Sequence, residues 1–223
     1  MIVNLDFQHP TLIQTVRAKQ AVMELGHVVN IKPGELKIYS YLKKYFPSTR
    51  YTFKRGKTVP VNLDHKEPFV QINGQKKVLI YPKQAFDLSK KFWNPKRTKV
   101  FFRGFVPFFR EEALKQWEGL ATIEKVDTGR KSINRFWDET YLTATGKAEF
   151  VLCPDGGWPW SYRFYEAVLC GAIPIVQTEC DIYQGYNYFK WNEQDKLQYD
   201  LTRAIENFER ARLELTIYKI AIG

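Results

Sequence analysis

The chain has 223 residues, 44% hydrophobic and 26% charged, with 34 Lys and Arg against 24 Asp and Glu for a formal net charge of +10. That balance belongs to folded protein and excludes a disordered tail, and the length suits one or two domains. The longest apolar runs, such as Phe150–Pro154 and Ala172–Val176, fall far short of the roughly 18 residues of a bilayer span, and the first ten residues carry no secretory signal, so a cytoplasmic protein is expected.

Taken in chain order, Met1–Phe7 reads as a buried strand. A helix follows from Pro10 to Leu25-Gly26, then a short strand from His27 to Ile31. Residues 50–82 hold several extended segments with turn signals at Arg55-Gly56 and Asn73-Gly74, which predicts some antiparallel pairing. Asn94-Pro95-Lys96 is a polar link, so the expected domains are 1–95 and 96–223. Beyond it, Val100–Arg103, Thr122–Val126, Glu149–Cys153 and Ile173–Val176 read as strands. Helical spacing lies between them at Phe109–Trp117, Ile133–Leu142 and Tyr162–Cys170, with Gly171 as a C-terminal cap. This alternation predicts an α/β fold with a mainly parallel sheet and right-handed crossovers. A last helix is expected from about Glu193 to Tyr218, with Leu197, Leu201, Ile205 and Phe208 on its buried face.

Charge is unevenly distributed. Residues 1–100 hold 19 basic and 6 acidic side chains, a net of +13, and the remainder has a net of −3. The basic clusters at Lys54-Arg55-Gly56-Lys57, Lys90-Lys91 and Lys96-Arg97-Thr98-Lys99 suggest an anionic partner, with a solvated basic face as the alternative. Cys153, Cys170 and Cys180 form no CxxC pair, and His9, His27 and His65 are scattered, so neither a structural disulfide nor a zinc cluster is expected.

In an open parallel sheet, ligands lie at the carboxyl ends of the strands. Those ends are Arg103-Gly104, Asp127–Arg130, Asp155-Gly156-Gly157 and Thr178. The third is the richest: glycines permit close backbone approach to a ligand, and Ser161 is a suitable N-cap for the next helix, a phosphate-binding arrangement. Arg163 stands out because a cation in the first turn opposes the helix dipole unless an anion lies between them. Glu166, three residues on, shares its face and would either accept from a sugar diol or form an intrahelical ion pair with Arg163.

The run Ala148–Val176 resembles the signature of exostosin-like glycosyltransferases. Its parts are an apolar strand ending at Cys153-Pro154, the helix start Ser161-Tyr162-Arg163-Phe164-Tyr165-Glu166-Ala167, and the strand Gly171-Ala172-Ile173-Pro174-Ile175-Val176. Val100–Gly104 with Arg110 resembles the Phe-Arg-Gly segment of the related capsule-associated O-glycosyltransferases. The resemblance implies a GT-B-like pair of Rossmann-like domains, the first reduced in this short chain. It further implies inverting transfer from a nucleotide sugar, a UDP-sugar by the family's habit, to a glycan or glycoconjugate hydroxyl, with no metal and no cofactor. By position, Arg163 would neutralise the diphosphate, Glu166 would hold the ribose, and Arg103 with Gly104 would face the phosphates. The insert Trp158-Pro159-Trp160 lies outside the family pattern.

No Asp-x-Asp pair occurs; only Glu179-Cys180-Asp181 and Glu193-Gln194-Asp195 come close. An inverting transfer needs a base for the acceptor hydroxyl. Asp6 and His9 at the end of the first strand are candidates, with Asp64, His65 and Glu67 as rivals and helix capping as the alternative role of Asp6. Two further readings remain: a basic nucleic-acid-binding module, against which aromatic pairs such as Phe101-Phe102 and Phe108-Phe109 look like core, and a non-catalytic sugar-nucleotide-binding domain. A glycosyltransferase would have no nucleic-acid partner, and the basic first part would allow peripheral membrane contact.

Overall fold

A computed structural model describes residues 1–8, 11–63, 69–72, 75–126 and 133–218 of the chain. It divides into two units, Met1–Asp87 with Arg212–Gly223, and Leu88–Ala211. Each unit is built on its own sheet, and both sheets are mainly parallel.

The first unit opens with β1 (Ile2–Phe7), whose alternation buries Val3 and Leu5. Helix α1 (Leu12–Glu24) starts where Thr11 Oγ1 accepts from the Gln14 amide at 3.4 Å, so Thr11, not Asp6, is its N-cap. Then come β2 (Val28–Asn30), α2 (Leu36–Leu42), β3 (Tyr51–Thr52) and β4 (Lys57–Leu63), followed by β5 (Val70–Ile72), β6 (Gln75–Lys77) and α3 (Lys83–Ser89). The strand order is β3-β2-β1-β4-β5-β6, parallel through β4 and antiparallel in the last two pairings.

Helix α1 buries polar as well as apolar side chains, and its cations are matched. Lys19 Nζ lies 3.0 and 2.8 Å from the two Glu35 oxygens, and Arg17 Nη1 donates to the Tyr81 hydroxyl at 2.6 Å while its guanidinium covers that ring. The Glu24 carboxylate accepts from the Lys83 and Gln84 amides, both at 2.5 Å, and caps α3.

In the second unit, β7 (Thr98–Gly104), α4 (Phe108–Lys115), β8 (Thr122–Lys125), α5 (Glu139–Gly146), β9 (Ala148–Cys153), α6 (Tyr162–Leu169) and β10 (Ile173–Val176) alternate as expected, although α5 starts six residues later than Ile133, and β11 (Phe189–Lys190) adds a strand the sequence did not suggest. Helix α7 (Leu201–Leu215) is the last element among the described residues, its last turn belonging to the first unit. The order β8-β7-β9-β10-β11 is parallel throughout. Every residue of β10 is buried, and all of β9 except Glu149, the pattern of strands covered on both faces. One face packs Val100, Phe102, Phe150, Leu152, Ile173 and Ile175 against Ala113 and Leu114 of α4, Trp117 just beyond it and Ala204 of α7. Helices α5 and α6 pack on β9, and α6 also on β10.

Two expectations are corrected. The last helix starts at Leu201 rather than near Glu193, and its buried stripe is Ala204, Phe208, Ala211 and Leu215; Leu201 is 53% and Ile205 45% exposed. The alanines allow closer approach than the larger side chains predicted to face inward. Of the aromatic pairs read as core, Phe101 and Phe102 are buried, but Phe108 is 80% exposed.

Candidate functional site at the second sheet

Chain order in the second sheet reverses at β7, which lies between β8 and β9, so the carboxyl ends of β7 and β9 flank the switch point where open α/β sheets bind ligands. Arg103 and Gly104 end β7; Pro154, Asp155, Gly156 and Gly157 follow β9. Ser161 starts α6 with its Oγ accepting from the Arg163 amide at 3.2 Å, and its own amide donates to the Tyr183 hydroxyl at 2.7 Å. The Tyr183 ring stacks on Phe164 with centroids 4.0 Å apart, bracing the first turn. At the other end of α6, Gly171 takes φ +67° and closes a Schellman motif, its amide bonding to the Val168 carbonyl and that of Ala172 to the Ala167 carbonyl.

Arg163 turns from this braced helix across the end of β7. Its Nη2 donates to the Arg103 carbonyl at 3.1 Å, and its guanidinium lies 4.6 Å from the centre of the Phe102 ring. A Cβ on residue 104 would stand 2.3 Å from Arg163 Nη2, so the approach depends on glycine there. Arg163 Nε is buried without a hydrogen-bond partner, and among the described residues no carboxylate is paired with this arginine.

Asp155 has a second orphaned atom. Its Oδ2 accepts from Thr178 Oγ1 at 2.6 Å, while Oδ1 is buried and unpartnered, and burial raises the carboxyl pKa. Tyr141 of α5 has a third, a buried hydroxyl; burial first, then the Glu166 carboxylate, holds the phenol well above its usual range, opposed by Arg163. Burial pushes the Cys153 thiol to about 12, although Arg163 opposes this, so it is no nucleophile. All three cysteines are free thiols.

Arg110 joins the two strand ends. Its Nη1 donates to the Phe105 carbonyl at 2.7 Å, and its Nε and Nη2 donate to the Asp155 carbonyl at 3.2 and 3.0 Å. The structure thus brings together Gly104, Arg110, Asp155, Gly156, Ser161, Arg163 and the backbone of Arg103. Glu166 lies one turn further along α6, and Gly157 is exposed. The Arg103 side chain turns instead to Glu124 of β8, 3.5 Å away. Asp6 belongs to the first unit and is exposed on β1; His9, Asp64, His65, Glu67 and Asp127–Arg130 lie outside the described residues. Sequence reasoning missed Tyr141 and Tyr183, since a buried phenol carries no local signal, and the clamping role of Arg110.

Near the late acidic pairs, Glu179 is engaged by Lys190 Nζ at 2.7 Å and the Tyr188 hydroxyl at 3.0 Å. Among the described residues no three His, Cys, Asp or Glu side chains converge, and no helix is long and apolar enough to cross a membrane.

No known family profile matches the chain. A partial match exists to a curated protein named "Probable glucuronosyltransferase GUT1", from Oryza sativa subsp. japonica, 36% identical over 55 residues. The aligned stretch is 25% of this chain and only 13% of the rice protein. The second unit combines a parallel sheet with a switch-point cluster of unpartnered polar groups, and the chain that contains it is similar over 55 residues to a protein named as a probable glucuronosyltransferase.

Proposed function

We propose that the chain is a glycosyltransferase that takes a sugar from a nucleotide-sugar donor, a UDP-sugar, and passes it with inversion to a glycan or glycoconjugate hydroxyl, in a GT-B-like arrangement and without a metal. One observation carries the reading: Arg163 is drawn over Gly104 at the switch point, at the positive end of α6, with Nε buried and unpartnered. A cation held beside a helix N-terminus is opposed by the dipole, and a diphosphate between the two reverses that cost. The partial similarity to a glucuronosyltransferase supports the same class.

In this scheme Arg163 and the positive end of α6 hold the diphosphate, and stabilise it more strongly as negative charge develops on the leaving nucleoside diphosphate. Glu166, one turn on, accepts from the ribose hydroxyls. The acceptor hydroxyl loses its proton to a general base, for which Asp6 and His9 are the candidates. Titration with UDP, followed by turnover of labelled UDP-glucuronic acid or UDP-glucose, tests the scheme. Arg163→Ala is expected to weaken UDP binding by about tenfold to a hundredfold, the worth of a charge-assisted phosphate contact. Unchanged affinity refutes the assignment.

A further inference from the structure

The insert Trp158-Pro159-Trp160 has no part in that scheme, yet the fold aims it. Arg110 binds the Phe105 carbonyl and the Asp155 carbonyl with one guanidinium, so the loops after β7 and β9 are stapled side by side. The Gly156 amide donates to the Trp158 carbonyl at 3.1 Å, which folds the second loop back on itself beside Arg110. The two stapled loops present Phe105, 39% exposed, and Trp158, 42% exposed. Single exposed aromatics are ordinary. Two on loops held together by a shared arginine, at the mouth of a switch point, are a built surface.

We infer that Phe105 and Trp158 form an aromatic platform for the transferred sugar ring, and that Trp158 is a specificity-determining residue. The inference rests on the donor reading above. With the diphosphate at the N-terminus of α6 and the ribose on Glu166 one turn along the helix, the opposite end of the diphosphate points towards the chain that precedes the helix, residues 155–160. That end carries the sugar. A pyranose face of polarised C–H bonds packs against the negative face of an aromatic ring, whereas a phosphate gains nothing from it.

The test compares the full chain's affinity for UDP with its affinity for UDP-glucose and UDP-glucuronic acid. Trp158→Ala is expected to weaken binding of the nucleotide sugar that wild type binds best by about threefold to tenfold while leaving UDP within about twofold, and Trp158→Phe to restore most of the loss. Phe108→Ala is the control: Phe108 is exposed on α4 two residues before Arg110, about 200° round the helix from it, and should change neither. Equal loss of UDP and UDP-sugar in Trp158→Ala, no loss of either, or the same loss in Phe108→Ala overturns the platform and leaves the diphosphate site standing. A wild-type chain that binds none of the three probes overturns the donor reading, and the platform with it.

Discussion

The two units satisfy their inward-turned charges in opposite ways. In the first, α1 sinks Arg17 and Lys19 below the surface and matches each within the fold, Lys19 to Glu35 and Arg17 to the Tyr81 hydroxyl and ring. In the second, Arg163 has a carbonyl and a ring for company, its Nε is unpartnered, and Asp155 Oδ1 is orphaned near the same strand ends. A paired buried charge is satisfied by the fold itself. A half-buried charge with a buried, unpartnered atom keeps hydrogen-bonding capacity for a ligand, and that separates architecture from site more sharply than charge count does.

The largest effect is expected at Glu35. Replacing it with alanine leaves Lys19 buried and alone, and chemical denaturation should show a loss of about 3 to 5 kcal/mol, with UDP affinity of the folded fraction unchanged. Substituting apolar residues of similar size at both positions should recover most of that stability. A loss below about 1 kcal/mol would mean that the pair is not structural.

Glu24 gives the next largest effect. Burial, helped by Asp87, raises its pKa from 4.5 to about 7 against the pull of the two amides it accepts from. The folded chain therefore holds this proton more tightly than the unfolded chain, so stability is fully present below about pH 4.5 and is lost as pH rises to about 7. The expected fall at this site is roughly 2 to 3 kcal/mol. Glu24→Gln should flatten that part of the stability profile; an unchanged slope assigns it to other groups.

At the second unit the contrast predicts function lost without fold. Gly104→Ala places a methyl where Arg163 Nη2 now lies, and the flexible end of the arginine can move aside. Thermal stability should change by less than about 1 kcal/mol while UDP affinity falls about tenfold. Loss of both together would make Gly104 a packing residue.

The smallest effect concerns the basic face. Lys57 pairs in register with Val3, so the Lys54–Lys57 cluster begins at the amino end of β1, away from Asp6. Lys54→Glu with Lys57→Glu should change stability by no more than about 0.5 kcal/mol, since both are exposed. If the cluster attracts anionic substrate, the pair should also lower kcat/KM at low salt only. A rate unaffected at any ionic strength would show a solvated face.

The centre of the second sheet was legible because β7, β9 and β10 carry continuous apolar runs, and α6 carries both its signals, Ser161 before it and Gly171 after it. Strand β11 was not: two residues show no period, and Phe189 joins the sheet through its neighbour Ile175. In α7 two helical stripes compete and share Phe208, and side-chain size favoured the wrong one, because alanine buries well wherever a helix must come close. The oddity of Arg163 could be read from its place in a helix start. The staple made by Arg110 could not, since its partners lie five and 45 residues away and are carbonyls that any residue type supplies.

The division of the chain also has a consequence for synthesis. Residues 88–211 are continuous in sequence and can close their sheet as soon as they clear the ribosome, but the first unit also includes residues from Arg212 onward. Leu215, Thr216 and Ile217 are buried, and the Leu215 carbonyl accepts from the Tyr81 amide at 2.9 Å. The first unit is therefore completed by a piece made more than a hundred residues after its earlier part, and the surface that Leu215–Ile217 cover stays open in that interval.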